Sequence, residues 1–238
     1  VDYQNVAAVI LEPVNGTTGG AFVPPDGYLE RVAEICRERG VVLVHDEVLT
    51  GLLRAGKPLA SNHWDRATAD ICILSKGLGA GYTSVAAVLV SPELAPLLKA
   101  DDADPLPAMG TMAATPLQSA ICLGVLDELE SINRESFDEH AALLGRQLAG
   151  FTEFAGVKDV RGIGFLYGLE LEHGLLWPFM AEAERRGVLF YPFSGAGGPP
   201  KSEGIVVAPP LTSTRGDLDH LVTTIRDTLA ELQSRSGR

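Results

Sequence analysis

Val41-Val42-Leu43-Val44-His45-Asp46-Glu47 is an apolar run that stops abruptly at two acids. Aliphatic residues in unbroken succession, with no polar alternation, predict a strand buried on both faces, as in a parallel sheet. The same pattern occurs on either side of it. Val6-Ala7-Ala8-Val9-Ile10-Leu11 ends at Glu12-Pro13, and Ile71-Cys72-Ile73-Leu74 ends at Ser75-Lys76-Gly77. A fourth strand is predicted over Val85–Val90, ahead of a short helix starting at Ser91-Pro92-Glu93. Between the first two strands, Leu29, Val32, Ala33 and Cys36 form one stripe of a helix over about 27–39, with Asp26 placed to cap it and Gly40 to end it. Strand, helix, strand in alternation predicts an α/β fold with a mostly parallel sheet.

From about Thr115 the character changes. Helices are predicted from Pro116 to about Ser131 and from about Ser136 to Phe154. A strand follows over 163–171, then a helix over 176–186, strands over 188–191 and 205–208, and a last helix over 216–233. Gly195 to Gly204, with Pro199-Pro200, is a surface loop. This reading divides the chain into 1–132, part of a large α/β domain, and 133–238, a smaller α+β domain.

The 238 residues are 46% hydrophobic and 21% charged, the mixture of an ordinary globular protein with a sizeable core. A net charge of -12 argues against nucleic acid, whose phosphates would be repelled. No apolar run approaches the roughly 18 residues of a membrane helix. Val1-Asp2-Tyr3-Gln4-Asn5 has no initiator Met and no basic segment leading into an apolar one, which reads as an entry in mid-fold without a secretory signal. Cys36, Cys72 and Cys122 are far apart among apolar neighbours, as expected of buried free thiols in a reducing cytoplasm. Their spacing matches no zinc site, and no metal is expected.

Ligands of open α/β sheets bind at the carboxyl ends of strands. Three predicted strands end there in Glu12, Asp46-Glu47 and Lys76. Ionisable groups at the ends of buried strands are costly unless paired or bound, so structural ion pairs are one reading and a site is the other. Gly77, Gly79 and Gly81 beside Lys76 leave room for a planar molecule to approach the backbone. A lysine for a Schiff base and a carboxylate to keep a pyridinium protonated are the two groups that pyridoxal 5′-phosphate chemistry needs. Once displaced by an incoming amine, the same lysine is placed to act as general base.

Leu11-Glu12-Pro13-Val14, Pro25-Asp26-Gly27-Tyr28-Leu29, Asp46-Glu47-Val48-Leu49-Thr50-Gly51, Arg54-Ala55-Gly56 and Ser75-Lys76-Gly77-Leu78-Gly79-Ala80-Gly81-Tyr82 follow in order. Together they resemble the class III (omega) aminotransferases of pyridoxal phosphate (PLP) fold type I. The similarity runs on through Gly110-Thr111, Thr115-Pro116-Leu117, Arg161-Gly162-Ile163-Gly164 and Ala208-Pro209-Pro210-Leu211. The resemblance implies Lys76 as the Schiff-base lysine, Asp46 as partner of the ring nitrogen and Val48 against one ring face. It further implies that Thr111 reaches the phosphate of a neighbouring subunit's cofactor, hence a homo- or hetero-oligomer with shared sites. Glu12 matches a glutamate on the substrate side, Tyr82 is a candidate to line the pocket, and Arg54 matches an arginine read as structural.

The family's phosphate-binding Gly-Ser/Thr turn and ring-stacking aromatic lie upstream of the first matching motif, so the chain corresponds to a C-terminal half. The expectation is a split enzyme completed by a second polypeptide, or a fragment. Gly16-Thr17-Thr18-Gly19-Gly20 is a weak alternative phosphate cradle, since it follows the wrong strand. The arginines with which relatives bind a substrate carboxylate are replaced by Ile205-Val206-Val207-Ala208 and Tyr191-Pro192. Either the partner supplies that clamp or the amine donor is not an ordinary amino acid, and Glu12 is then available to a cationic group. The resemblance thus implies transamination between a small primary amine or amino acid and a keto acid or aldehyde. An aminomutase or racemase, or a non-catalytic scaffold subunit, remain alternatives. His45 is expected on the side of its strand away from Asp46, His63-Trp64-Asp65 as a turn packed over the active-site region, and Arg161 as structural or in contact with substrate.

Overall fold

The apolar runs that end in ionisable residues pair as sheet neighbours in a computed structural model, which describes residues 3–99, 110, 113–194 and 202–236. Strand β1 (Ala8–Leu11) leads through helix α1 (Tyr28–Arg39) to β2 (Val42–Asp46), then to β3 (Ile71–Leu74) and β4 (Ala87–Val90). The sheet order is β1-β2-β3-β4. The first three strands are parallel, with Leu11 opposite His45 and Asp46 opposite Ile73, while β4 returns antiparallel. Register puts odd-numbered Val9, Leu11, Leu43 and His45 on one face, together with Cys72. Helix α1 packs there, burying Ala33 and Cys36 against Val41 and Leu43. Gly40, at φ 65°, ends the helix through N–H bonds to the Cys36 and Arg37 carbonyls, a left-handed cap that glycine supplies without steric cost. The N-cap is Gly27 and not the expected Asp26, because the chain enters through a turn in which the Tyr28 N–H meets the Pro25 carbonyl.

Helix α2 (Pro116–Ser131) is opened by a reciprocal cap between Thr115 and Gln118. Apolar along most of its length, it has no buried residue, and Leu117 and Leu123 are 71% and 62% exposed. On the sheet face turned away from α1, Ile10 and Val88 are likewise 65% and 61% exposed. Single exposed aliphatics are ordinary, whereas a helix and a sheet face open together form an unpartnered apolar surface.

The remaining elements are α3 (Arg134–Ala149), β5 (Val157–Ile163), β6 (Leu166–Leu171), α4 (Leu176–Arg185), β7 (Tyr191–Ser194), β8 (Glu203–Val207) and α5 (Arg215–Ser236). The strands form a wholly antiparallel sheet, β5-β6-β8-β7. The single strand expected over 163–171 is instead the second arm of a β5–β6 hairpin, turned at Gly164 with φ 65°. Aliphatic residues and glycines on both sides of that turn hide the reversal from a pattern reading. Phe137, Leu144 and Leu148 of α3, Phe179 of α4, and Leu218, Val222 and Ile225 of α5 are buried with Phe165, Leu169 and Ile205 of the sheet. Phe137 and Phe165 rings meet at 4.8 Å between centroids.

By contacts the chain forms two units, Val1–Pro13, Pro24–Leu52 and Lys57–Ile132 in the first, and Val14–Val23, Leu53–Gly56 and Asn133–Arg238 in the second. The expected cut after residue 132 leaves out the two short loops, which hydrogen bond to the second sheet. Arg161 donates to the Gly19 carbonyl, and Arg54 to the Phe165 and Pro209 carbonyls. Within the first unit, the Glu47 carboxylate is 1% exposed and accepts from Thr50 Oγ1 at 2.8 Å, Ala60 N at 2.7 Å and Ser61 N at 2.8 Å. It thereby ties the segment after β2 to the start of the 60–63 turn. Glu47→Ala would leave two buried N–H groups unpartnered and is expected to cost about 3 kcal/mol, read as a lower urea midpoint at unchanged slope.

Candidate active site

Parallel register brings three chain ends to one edge of the first sheet. Leu11, His45 and Cys72 lie side by side, so Glu12 and Asp46 follow at neighbouring positions and Lys76 follows three residues after Ile73, the partner of Asp46. Asp46 lies on the face turned away from α1. Its Oδ1 accepts the Val48 N–H at 3.0 Å, a local turn that fixes both the carboxylate and the half-buried Val48. Lys76 opens a short 3-10 turn (Lys76–Leu78) and is exposed. Its backbone sits at φ 24°, a left-handed value that costs a side-chain-bearing residue on the order of 1 kcal/mol. A Cβ at Gly81 would meet nothing, and one at Gly77 would meet only Leu52, so the backbone beside Lys76 is open to a flat molecule. Tyr82 is 82% exposed, and Glu12 is exposed at the end of β1. Thr111 lies outside the described residues.

Several neighbours take no part in this edge. The 1%-exposed His45 points to the α1 face, as strand alternation requires, and its Nε2 has no hydrogen-bond partner. Burial pulls its pKa down, with Glu47 opposing. Cys72 shares that face, and burial followed by the charges of Glu47 and Asp46 pushes its thiol up to about 12, which leaves it unreactive. Trp64 and Asp65 line one cleft of about 270 Å³ with His45 and Cys72, so this turn packs on the face opposite Asp46 and not over it. Charge at residue 65 gave no hint of the face; only strand parity does.

The Gly-rich loop of the second unit is closed on itself. Asn15 N–H meets the Phe22 carbonyl, Ala21 N–H the Gly16 carbonyl, and Gly19 N–H the Asn15 Oδ1 at 2.6 Å. Within Gly16–Gly20 the Gly19 amide is thereby spent inside the loop. Arg161 is a fastening: Nε and Nη2 donate to the Gly19 carbonyl, and Nη1 to Asp159 at 2.7 Å and Glu170 at 2.8 Å. Burial lowers the pKa of Arg54, whose Nη1 donates to two carbonyls. Missed from sequence were Ser75, whose hydroxyl donates to the Val85 carbonyl at 2.7 Å, and Gln118, whose Nε2 donates to the Ser84 carbonyl at 2.9 Å. Neither bond has a sequence signal, since both partners are backbone carbonyls.

Comparison with known proteins places this arrangement. Its fold is the α/β architecture of fold type I aminotransferases, shared with an (S)-enantioselective omega-transaminase of Thermomicrobium roseum at a TM-score of 0.84 and 31% identity, over 97% of this chain and 52% of that one. The sequence signature described as aminotransferase class-III matches residues 1–229, and the chain belongs to that family. An amine transaminase from an uncultivated Pseudomonas species, solved in its PLP-bound form, has a TM-score of 0.84 and 32% identity over 97% of this chain and 53% of its own. The uncharacterised aminotransferase YodT of Bacillus subtilis is 32% identical over 97% of this chain and 54% of its own length. Ornithine aminotransferase of Oceanobacillus iheyensis is 29% identical over 95% and 53%. The chain thus spans about half the length of the relatives it matches.

The neutral, buried His45 makes stability depend on pH. Its folded pKa lies below the unfolded value of about 6.5, so the unfolded state binds more protons in between. The stability is fully present above that unfolded value and is lost as pH falls toward the folded one. Urea midpoints should fall from pH 7.5 to 5.5, and the fall should be smaller in His45→Phe. Equal slopes for the two proteins would show that His45 is not the source.

Proposed function

We propose that this chain carries the lysine half of a PLP-dependent aminotransferase site, with Lys76 bonded to the cofactor and Asp46 facing its ring nitrogen. The observation that carries the reading is that Asp46 ends β2 and Lys76 follows the end of the adjacent parallel strand β3. The donor set suits the group: an exposed amine, a carboxylate with one oxygen already oriented by Val48 N–H, and a glycine-lined backbone. When bound, the cofactor supplies an electron sink that stabilises a carbanion next to the substrate nitrogen.

The residues have distinct tasks. Asp46 holds the proton on the ring nitrogen, because a fixed carboxylate there favours the charged pyridinium. Lys76 Nζ would hold the cofactor and, when freed, would serve as the base that takes the proton from the substrate Cα. Val48 packs on one ring face, Glu12 and Tyr82 border the substrate, and Thr111 contacts phosphate across a subunit boundary. The donor is a small primary amine. The buried Ile205, Val206 and Val207 of β8 stand where relatives carry a carboxylate-binding arginine, which favours an amine without an adjacent carboxylate or a clamp from elsewhere.

A partner polypeptide supplies the phosphate-binding turn and the stacking aromatic. Support comes from the open apolar surface of α2, Ile10 and Val88. We place the assembly in the cytoplasm. The three cysteines are unpaired, and no helix among the described residues is long and apolar enough to cross a membrane.

Borohydride reduction in the presence of PLP should add the cofactor mass to a peptide containing Lys76 and to no other lysine. In the assembled enzyme, Asp46→Asn should keep that label while lowering turnover about a hundredfold or more. An unlabelled Lys76 in a fully active assembly would falsify the assignment.

A further inference from the structure

We propose that Ser75 is a positioning residue for Lys76: its hydroxyl closes onto the Val85 carbonyl and holds the Lys76 backbone in its left-handed conformation. The consequence for the cofactor rests on the function proposed above; the conformational claim stands on the geometry alone.

Residues 75–85 turn tightly between β3 and β4. Leu78 N–H meets the Ser75 carbonyl at 2.7 Å, Gly79 N–H the Lys76 carbonyl at 3.2 Å, and Tyr82 N–H the Gly79 carbonyl at 2.8 Å. These bonds span three residues each, and the β3–β4 ladder holds the stems just outside the loop, with Leu74 opposite Ala87. Three positions inside it are left-handed: Lys76 at φ 24°, Ala80 at 45° and Gly81 at 82°. Only glycine adopts such values freely, so Lys76 and Ala80 stay there because something outside the local turns holds them. The Ser75 Oγ bond to Val85 spans ten residues and carries that closure past the end of the ladder, to the residue next to Lys76. On the far side Gln118 Nε2 holds the Ser84 carbonyl, while its Oε1 accepts the Thr115 N–H at 2.9 Å, so the β4 side is anchored to α2. The backbone folds so closely that a Cβ on Gly79 would collide with the Thr83 carbonyl. Two ties therefore frame the loop, and the one made by Ser75 is a single bond away from Lys76.

Fixing the lysine backbone lowers the conformational freedom lost when its amine bonds to an aldehyde, which is preorganisation. Removing the hydroxyl leaves the Val85 carbonyl without its partner and lets Lys76 return to negative φ. Threonine keeps the hydroxyl, and cysteine offers a weak donor in its place.

The test is amide hydrogen exchange on the 238-residue chain, followed by PLP and borohydride on the same samples. Ser75→Ala should speed exchange at Leu78–Tyr82 about tenfold, the size of the backbone strain released. Ser75→Thr should stay close to the parent, and Ser75→Cys should fall between; the cysteine variant also serves if the alanine one does not fold. Trapping at Lys76 should fall in the alanine variant and recover in the threonine one. In a Lys76→Gly background, where positive φ costs nothing, Ser75→Ala should change exchange far less. Parent-like exchange in Ser75→Ala, or equal acceleration in both backgrounds, would overturn the proposal. An active assembly of the parent chain with its complementary half that leaves Lys76 unlabelled sinks the functional reading, and the role of Ser75 then stands or falls on the exchange comparison.

Discussion

In-register parallel pairing of β1, β2 and β3 is the constraint on which the site depends. Parallel strands end together at one edge, and each is followed by a residue that would be costly in the sheet interior: Glu12, Asp46 and, beyond Ser75, Lys76. Shifting β2 by a single residue would exchange Asp46 for His45 on the open face. Register in turn is held by burial of Leu43 and Val41 against α1. The hydrophobic pattern that folds the sheet is therefore also what aims the carboxylate.

Around that edge, charges are handled in two ways. Glu47 follows Asp46 immediately, yet it turns inward and spends its carboxylate on the Thr50 hydroxyl and the amides of Ala60 and Ser61. Asp46 makes one local bond with Oδ1 and stays half-buried at the edge. Two adjacent acids thus separate into a structural anchor and a group available to a ligand. The second unit shows the same economy with cations: Arg54 and Arg161 are consumed in fastening loops to the antiparallel sheet.

The α/β pattern and the three strand ends were legible because buried parallel strands leave unbroken aliphatic runs and their ends carry the ionisable groups. The hairpin at Gly164 was not, since aliphatic residues and glycine occur on both arms and no polar residue marks the turn. The loops 14–23 and 53–56 were assigned to the first unit by position, although hydrogen bonds to carbonyls, invisible in sequence, attach them to the second. For the turn at Trp64 and Asp65, only the parity of His45 and Cys72 tells which face it covers.

Sequence by itself determined the family and the strand–helix–strand order of the first sheet, because apolar periodicity and ordered motifs are properties of the chain alone. Tertiary structure decided which acid stays available, which arginines are spent, and that the lysine sits on strained backbone clasped by Ser75. Those outcomes depend on hydrogen bonds to backbone carbonyls and amides distant in sequence, and every residue type presents the same carbonyl.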